Sequence, residues 1–376
     1  MARPLGLWTY ILAHSDGVFL GGMEPVPAET WRGRWAPLLL LGALGMLLSE
    51  ACSWNVKPLA GLVSRPAAAA AAVLAVYFGY TAVFAVLADL AIRYKVRDFI
   101  GLVLLGSVYG LFNEGVLADK VFVQGLGPRI LGLHPLNTAF IALSWHALID
   151  VCVGFTALRW ALAGRLGLSD GRLSRREVLS CLALALWLFA WSRSRIVLGW
   201  FPGGIPFGLQ AFWLGFSMAL LGATAWGALV PGARLPAEGL PRAARWLLWA
   251  GAAAAAVSRL RVLPDPRAFI TYGAVVLAYW SLFVLYHRDR SAAERSVLEE
   301  EVPPAAGFLW SKYLRLCGAV LAGYAALFAL DQVVSLDRFF MALDSALIFG
   351  FVAFAFLFPL AATAAVTSRL FNGSLR

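Results

Sequence analysis

Long apolar runs alternate with short polar segments along the chain. Ten of these runs approach or exceed the ~20 residues that an α-helix needs to cross a bilayer, and the seventh is the weakest. The sequence therefore predicts an all-α, polytopic transmembrane helix bundle of about ten spans. These spans lie at Trp35–Trp54, Ala67–Ile92, Phe99–Leu117, Asn137–Ala163, Val178–Val197, Ile205–Val230, Ala243–Arg259, Ala268–Tyr286, Tyr313–Val334 and Phe339–Val366.

The composition agrees with a membrane protein. Of the 376 residues, 61% are hydrophobic and 14% are charged, whereas soluble domains carry about 25% charged residues. We expect a single transmembrane domain over residues 35–366. A cytoplasmic or interfacial segment over residues 1–34 precedes it, and a cytoplasmic tail over residues 367–376 follows it.

The net charge of +10 would indicate nucleic-acid binding in a soluble chain. Here the Lys and Arg residues lie in short loops between spans, where they act as topology signals. With the N-terminus inside, the inner loops hold roughly twice as many of them as the outer loops. We therefore expect two cytoplasmic termini in the cell (plasma) membrane. Membrane lipid is the expected partner, and a lipid-linked molecule, a peptide or a small ion is the expected substrate, with no nucleic acid.

The cysteines and the longest loop give two further expectations. Cys52, Cys152, Cys181 and Cys317 lie in or beside apolar runs without a CxxC pair, so we expect inert thiols, no metal and no cofactor. The loop from His287 to Ser311 carries several glutamates and two adjacent prolines. Its composition favours a solvated linker, with a docking segment as the alternative.

Two short patterns recur along the chain. LGALGMLLSE, which ends at Glu50, matches LGSVYGLFNE, which ends at Glu114, and SRSRI from Ser192 matches SRLRV from Ser258. Repeats at a fixed interval indicate duplicated structural units. They predict tandem helical hairpins of about 65 residues, although matches by chance are common in Ala- and Leu-rich helices. The repeat units would cover residues 35–92, 99–163, 178–230, 243–286 and 313–366.

Ionisable residues inside apolar runs mark the candidate site, because charges in a bilayer are costly and usually functional. His146 and Asp150 are four apart on the fourth span and share a helix face, and Glu114 lies at a similar depth on the third span. We predict that Glu114 is a general base, His146 its acid/base partner and Asp150 the orienting group. The residues expected to bind substrate are Arg193 as an anion clamp and partner of Glu114, together with Arg195, Glu50, Asn113 and Arg259.

Three functions fit these residues. A carboxylate and an imidazole can activate water in a membrane-embedded hydrolase or transferase that acts on a lipid-borne or transmembrane substrate. The same groups can relay protons in a proton- or ion-coupled secondary transporter. They can also form a polar network that only fixes helix pairing in a non-catalytic scaffold.

This stretch partly resembles the CPBP (Abi-type) intramembrane glutamic proteases. Those proteins carry an EExxxR motif on one span, FxxxH on a later span and HxxxN/D beyond it. Asn113-Glu114 occupies the place of the first motif, and His146-xxx-Asp150 has the form of the last. Ala118 stands where the Arg belongs and Ala142 where the Phe belongs, and a second membrane histidine is missing. The resemblance covers under a sixth of the chain, and we do not assign the chain to that family.

Overall fold

The computed structural model describes most of the chain from Trp31 to Gly373. The described residues are 31–59, 61–118, 120–122, 128–166, 168, 171–193, 205–230, 233, 235, 239–260, 266–288, 290, 294–299 and 307–373. Most of the predicted N-terminal segment therefore lies outside the described residues. The last helix continues to Gly373, past the predicted end of the transmembrane domain.

Helices account for nearly all the secondary structure in the described residues. α1 is Trp31–Met46 and continues as a π-helix over Leu47–Ala51. α2 is Pro66–Arg93. α3 is Phe99–Phe112, with a π-helical end at Asn113–Leu117. α4 starts at Pro135–Asn137, is π-helical over Thr138–Val153 and ends as Gly154–Leu162. The remaining helices are α5 (Arg175–Ser192), α6 (Phe207–Ala228), α7 (Arg242–Leu260), α8 (Pro266–His287), α9 (Trp310–Val333) and α10 (Asp337–Gly373).

Seven of these helices are long and apolar enough to cross a membrane, judged by length and composition. They contain Pro66–Arg93, Phe99–Leu117, Pro135–Leu162, Phe207–Ala228, Arg267–His287, Trp310–Val333 and Arg338–Arg369. The other three predicted spans also form helices. However, the apolar part of α1, Trp35–Ala51, is shorter, and α5 and α7 both begin with arginines. The structure is thus all-helical in its described part, while the count of ten spans stays a prediction.

Glycines let the first two hairpins pack with their backbones close together. A Cβ on Gly42 of α1 would lie 2.7 Å from the Cα of Thr81 on α2. A Cβ on Gly106 of α3 would lie 2.6 Å from the Cα of Ala147 on α4. Small residues permit such contacts between membrane helices. Gly42 and Gly106 are equivalent positions of the first recurring pattern, but the second pattern extends outside the described residues, so the tandem repeat stays a prediction.

Three π-helical stretches interrupt the regular α-helices. They hold Glu50 on α1, Glu114 on α3, and His146 with Asp150 on α4. A π-helix has i→i+5 hydrogen bonds and a wider turn, and such turns are frequent at functional sites. All four acid and base residues predicted from the sequence on these helices therefore lie where the backbone departs from the α-helix.

The segment 294–299 corrects our preference for a solvated loop between His287 and Ser311. Val297 and Leu298 are buried, and the backbone N–H of Val297 donates to the carbonyl of Val96 at 2.7 Å. Lys95 Nζ lies 2.9 Å from Glu299 Oε1. Two apolar side chains and an ion pair thus dock this segment against the turn between α2 and α3. The alternative of a docking segment holds for these residues.

Candidate functional site

The glycines that bring α3 and α4 together also align the candidate site. Glu114 follows Gly106 and Gly110 at intervals of four residues, and residues four apart share a helix face. A Cβ on Gly110 would lie only 1.9 Å from the carbonyl oxygen of Ala142. His146 follows Ala142 by the same interval, one turn further along α4. The close approach of the two backbones therefore places Glu114 directly beside His146.

Glu114, His146 and Asp150 form one continuous hydrogen-bonded chain. His146 Nε2 lies 2.8 Å from Glu114 Oε1, and His146 Nδ1 lies 2.5 Å from Asp150 Oδ2. The exposed fractions of the three residues are 5%, 4% and 0%, respectively. The predicted contact between Glu114 and His146 is present and direct. The two acids, which lie on different helices, meet through a single imidazole.

The hydrogen-bonded chain from Glu114 to Asp150 needs one proton more than two carboxylates and a neutral imidazole carry. A neutral imidazole has one N–H and one acceptor nitrogen, whereas an ionised carboxylate only accepts hydrogen bonds. Both ring nitrogens of His146 face carboxylate oxygens. Both contacts are therefore satisfied only when the three residues share one further proton, which is buried among them.

Neutral donors contact one oxygen of each acid, and Asp150 Oδ1 accepts no hydrogen bond from the described residues. The hydroxyl of Ser49 donates to Asp150 Oδ2. The amide nitrogen of Asn113 lies 2.9 Å from Glu114 Oε1 and 3.1 Å from His146 Nε2. By contrast, Glu114 Oε2 is buried and accepts no hydrogen bond from the described residues. Buried polar atoms are nearly always hydrogen-bonded, so this oxygen is an acceptor available to a ligand.

Glu50 forms a second polar group close to the first. Tyr80 of α2 donates to Glu50 Oε1 at 2.6 Å, and the side-chain amide of Asn55 donates to Glu50 Oε2. Both oxygens are therefore occupied by neutral donors. Ser49 precedes Glu50 on the same π-helical turn and contacts Asp150, which joins the two polar groups.

Both groups lie at one end of a large cavity of about 860 Å³. Its polar lining comes from the ends of α1 and α3 and the turns that follow them, including Lys57 and Lys120, and from Tyr80, Tyr109 and His146. The rest of the wall is apolar and is supplied by α2, α3, α4, α7 and α8. Ligand sites typically combine such an apolar wall with a few convergent polar groups, at volumes of ~300–1,000 Å³.

The structure does not bring Arg193 to Glu114, and the predicted pairing of these two residues is wrong. Arg193 Nη2 lies 2.6 Å from Asp331 Oδ2, and its guanidinium lies over the rings of Phe189 and Phe328. Depth along a span does not fix which way a side chain faces. Arg193 instead joins the ends of α5 and α9.

The remaining predicted residues divide into two groups. Asn113 and Glu50 line the cavity as described above. Arg195 and the side chain of Arg259 lie outside the described residues. Sequence reasoning missed Ser49, Asn55 and Tyr80. The pair Ser49-Glu50 in an apolar run was a usable signal for the first of these, whereas nothing in the local pattern distinguishes Tyr80 from the other tyrosines.

The donor set does not form a metal centre. Within the described ranges, no group of three or more His, Cys, Asp or Glu residues is arranged to hold a metal ion. The geometry gives the reason, because both nitrogens of His146 already face carboxylate oxygens. A ring engaged in this way has no lone pair directed at a metal.

No protein-family model, curated protein or solved structure matches this chain. The resemblance to the CPBP proteases is therefore limited to the few motif positions quoted above. The fold gives a physical reason for one difference from the protease motif, the presence of Ala142 where the motif has Phe. The carbonyl of Ala142 contacts Gly110, so this part of α4 lies against the backbone of α3.

Proposed function

We propose that this protein is a membrane-embedded hydrolase in which Glu114 is the general base. The observation that carries the proposal is Glu114 Oε2, a buried carboxylate oxygen without a partner among the described residues, at the polar end of a largely apolar cavity. A water molecule bound there would donate to Oε2, as a general base requires. The protein would be a ten-span protein of the cell membrane with both termini in the cytoplasm.

The proposed reaction is the hydrolysis of an ester or amide bond. The oxygen of water bonds to the acyl carbon of the substrate while its proton moves to Glu114. The bond to the leaving oxygen or nitrogen then breaks, and the proton passes from the Glu114–His146 pair to the leaving atom. Asp150, with Ser49, holds the ring of His146 in place. General acid–base catalysis of this kind contributes about 10²–10⁴ in rate.

The shared proton supports one alternative, a proton-coupled carrier. Buried carboxylate and histidine chains also serve as proton relays in transporters. In that case the cavity would be a binding site that opens to each side in turn. Reconstituted protein would then move protons across sealed liposomes together with its substrate.

The variant Glu114→Gln tests the proposal. We expect it to lower the turnover of fluorogenic acyl ester and amide probes by about 10²–10⁴ per folded molecule, in purified protein reconstituted into nanodiscs. Glu299→Gln is a matched control, because it removes a carboxylate from the docked segment and should leave turnover intact.

Three results contradict the hydrolase. Turnover by Glu114→Gln equal to that of the wild type would remove Glu114 from the reaction. Proton flux in liposomes that Glu114→Gln abolishes, in a protein that hydrolyses none of the probes, would favour the carrier. Loss of folding in both Glu114→Gln and Asp150→Asn, with no activity in the wild type, would favour a structural network.

A further inference from the structure

We infer that the substrate is an amphiphile with one long hydrocarbon chain, which reaches the site sideways from the bilayer between α2 and α7. The identification of this molecule as a substrate rests on the proposed function. The identification of the cavity as a hydrocarbon-chain site does not, because it depends on the lining, the length, the volume and the exposure of the cavity alone.

An apolar strip of the lining runs along α2. Tyr80 binds Glu50, and towards the end of α2 the lining continues through Val83, Val86 and Leu87 to Leu90; on the other side of Tyr80 it extends to Val76. Ten residues separate Tyr80 from Leu90, which is ~15 Å at 1.5 Å per residue. Half of the ~30 Å hydrocarbon core of a bilayer has the same length. The strip from Tyr80 to Leu90 is thus as long as the hydrocarbon chains of one leaflet.

The wall opposite α2 is open to the surroundings of the bundle. Leu247 and Trp249 of α7 line the cavity and are nevertheless 75% and 40% exposed. Further along α7 the lining consists of small residues, Gly251, Ala252 and Ala255. A wall whose side chains face both the cavity and the outside does not separate the two. An apolar opening of this kind suits a lipid chain, which never has to leave hydrocarbon.

The volume of the cavity, about 860 Å³, leaves room for a single flexible hydrocarbon chain, with its polar group next to Glu114.

Two glycines offer a way to fill the cavity without disturbing the fold. Gly79 on α2 and Gly251 on α7 both line the cavity, and a Cβ on either would have no atom within 4 Å. Gly79→Leu and Gly251→Leu would therefore place a side chain in open space. Gly273→Leu on α8 is the matched control, because a Cβ there also has no neighbour within 4 Å and Gly273 does not line the cavity.

The first measurement is the binding of a hydrocarbon chain without turnover. A trace of palmitic acid carrying a terminal diazirine is added to reconstituted full-length protein and photolysed, and the labelled peptides are mapped by mass spectrometry. We expect saturable labelling between Val83 and Leu90 and between Leu247 and Ala255. Gly79→Leu and Gly251→Leu should lower it by about tenfold or more. Gly273→Leu should leave it unchanged.

The second measurement is the dependence of turnover on chain length. With acyl esters of increasing length, turnover by the wild type should rise with each added methylene. Gly79→Leu and Gly251→Leu should shift the preference to shorter chains, so that turnover of long esters falls relative to turnover of the shortest one. Gly273→Leu should keep the wild-type profile.

The results separate this inference from the proposed function. Saturable labelling of the cavity in a protein that hydrolyses nothing supports the chain site and contradicts the hydrolase. Even labelling of all outward-facing helices overturns the chain site. So does preferential labelling of the cavity by a diazirine-bearing transmembrane peptide, or a chain-length profile that the two Leu variants leave unchanged.

Discussion

Two groups of buried acids in the described part of this protein have different partners. At the polar end of the cavity, Glu114 and Asp150 are held by an imidazole, an amide and a hydroxyl. At the other end of α2, Asp89 is held by arginines. An arginine keeps its proton under all physiological conditions, whereas an imidazole gains and loses one near neutral pH. The first group can therefore transfer protons, and the second can only fix helices.

The arginine-bound group shows what a structural role requires. Asp89 Oδ2 lies 3.0 Å from Arg93 Nε and 3.3 Å from Arg245 Nε, and its Oδ1 accepts from the backbone N–H of Leu240 at 2.8 Å. These contacts attach the start of α7 to the end of α2. Every partner is a permanent cation or a backbone group, and the opening between the two helices is anchored at this end.

A further acid, Asp98, caps α3 at the same end of the bundle as Asp89. Its Oδ1 accepts from the backbone N–H of Gly101 at 2.8 Å, and its Oδ2 pairs with Arg290. Burial alone would raise the pKa of the Asp98 carboxyl, but the hydrogen bond from Gly101 and the charge of Arg290 together lower it. Arg369 adds a more distant charge, with Nη2 at 3.8 Å. These contacts favour the ionised form of the Asp98 carboxylate.

The largest expected effect comes from removing the imidazole. His146→Ala leaves Glu114 and Asp150 buried without the ring that joins them. Removing one partner of a buried ion pair costs about 3–5 kcal/mol, so we expect a loss of that size in the free energy of unfolding, measured in detergent micelles. The triple variant Glu114→Gln, His146→Ala, Asp150→Asn removes both acids as well and should recover most of it. A triple variant less stable than His146→Ala would show that the two acids do not depend on the ring.

An intermediate effect is expected at the arginine-bound group. Asp89→Asn deprives Arg93 and Arg245 of their carboxylate, and hydrogen bonds to charged groups contribute about 1.5–3 kcal/mol. We expect a loss of about 2 kcal/mol in the free energy of unfolding. Turnover of a short-chain ester per folded molecule should not change. A variant of normal stability with reduced turnover would reverse the roles that we assign to the two groups.

The smallest effect is a dependence of stability on pH at Asp98. Because the pKa of Asp98 is lower in the folded than in the unfolded protein, its contribution is complete above the unfolded value of about 3.9. It is lost as the pH falls through the folded pKa. The carboxyl is about one-third exposed, so we expect about 1 kcal/mol or less. Melting temperatures between pH 6 and pH 3 should fall more in the wild type than in Asp98→Asn; parallel curves would contradict this assignment.

The sequence predicted the helices and one contact of the site well, for physical reasons. Apolar runs of sufficient length have few structures open to them in a bilayer, and a helix lies at each predicted span in the described part of the chain. The contact between Glu114 and His146 was predicted from their similar depth on consecutive spans. The Gly106–Gly110 pair determines how closely that contact is made.

Other features depend on information that the sequence does not hold locally. Arg193 lies at a suitable depth, but a span that is apolar on all sides does not show which way a polar residue faces. Tyr80 reaches Glu50 from a different helix, and no spacing along the chain connects them. In the segment 294–299, the surrounding charges concealed Val297 and Leu298, which only tertiary packing identifies as buried.

The long π-helical stretch of α4 has a consequence for changes in chain length. Each residue of a regular helix turns by about 100°, and the wide turns of Thr138–Val153 carry extra residues relative to a regular helix. Deleting one residue between Thr138 and Trp145 would tighten a turn, preserve an apolar helix and rotate His146 away from Glu114. A single deletion could thus give a protein that still inserts into the lipid bilayer but lacks the contact between Glu114 and His146, although every acid and base is retained.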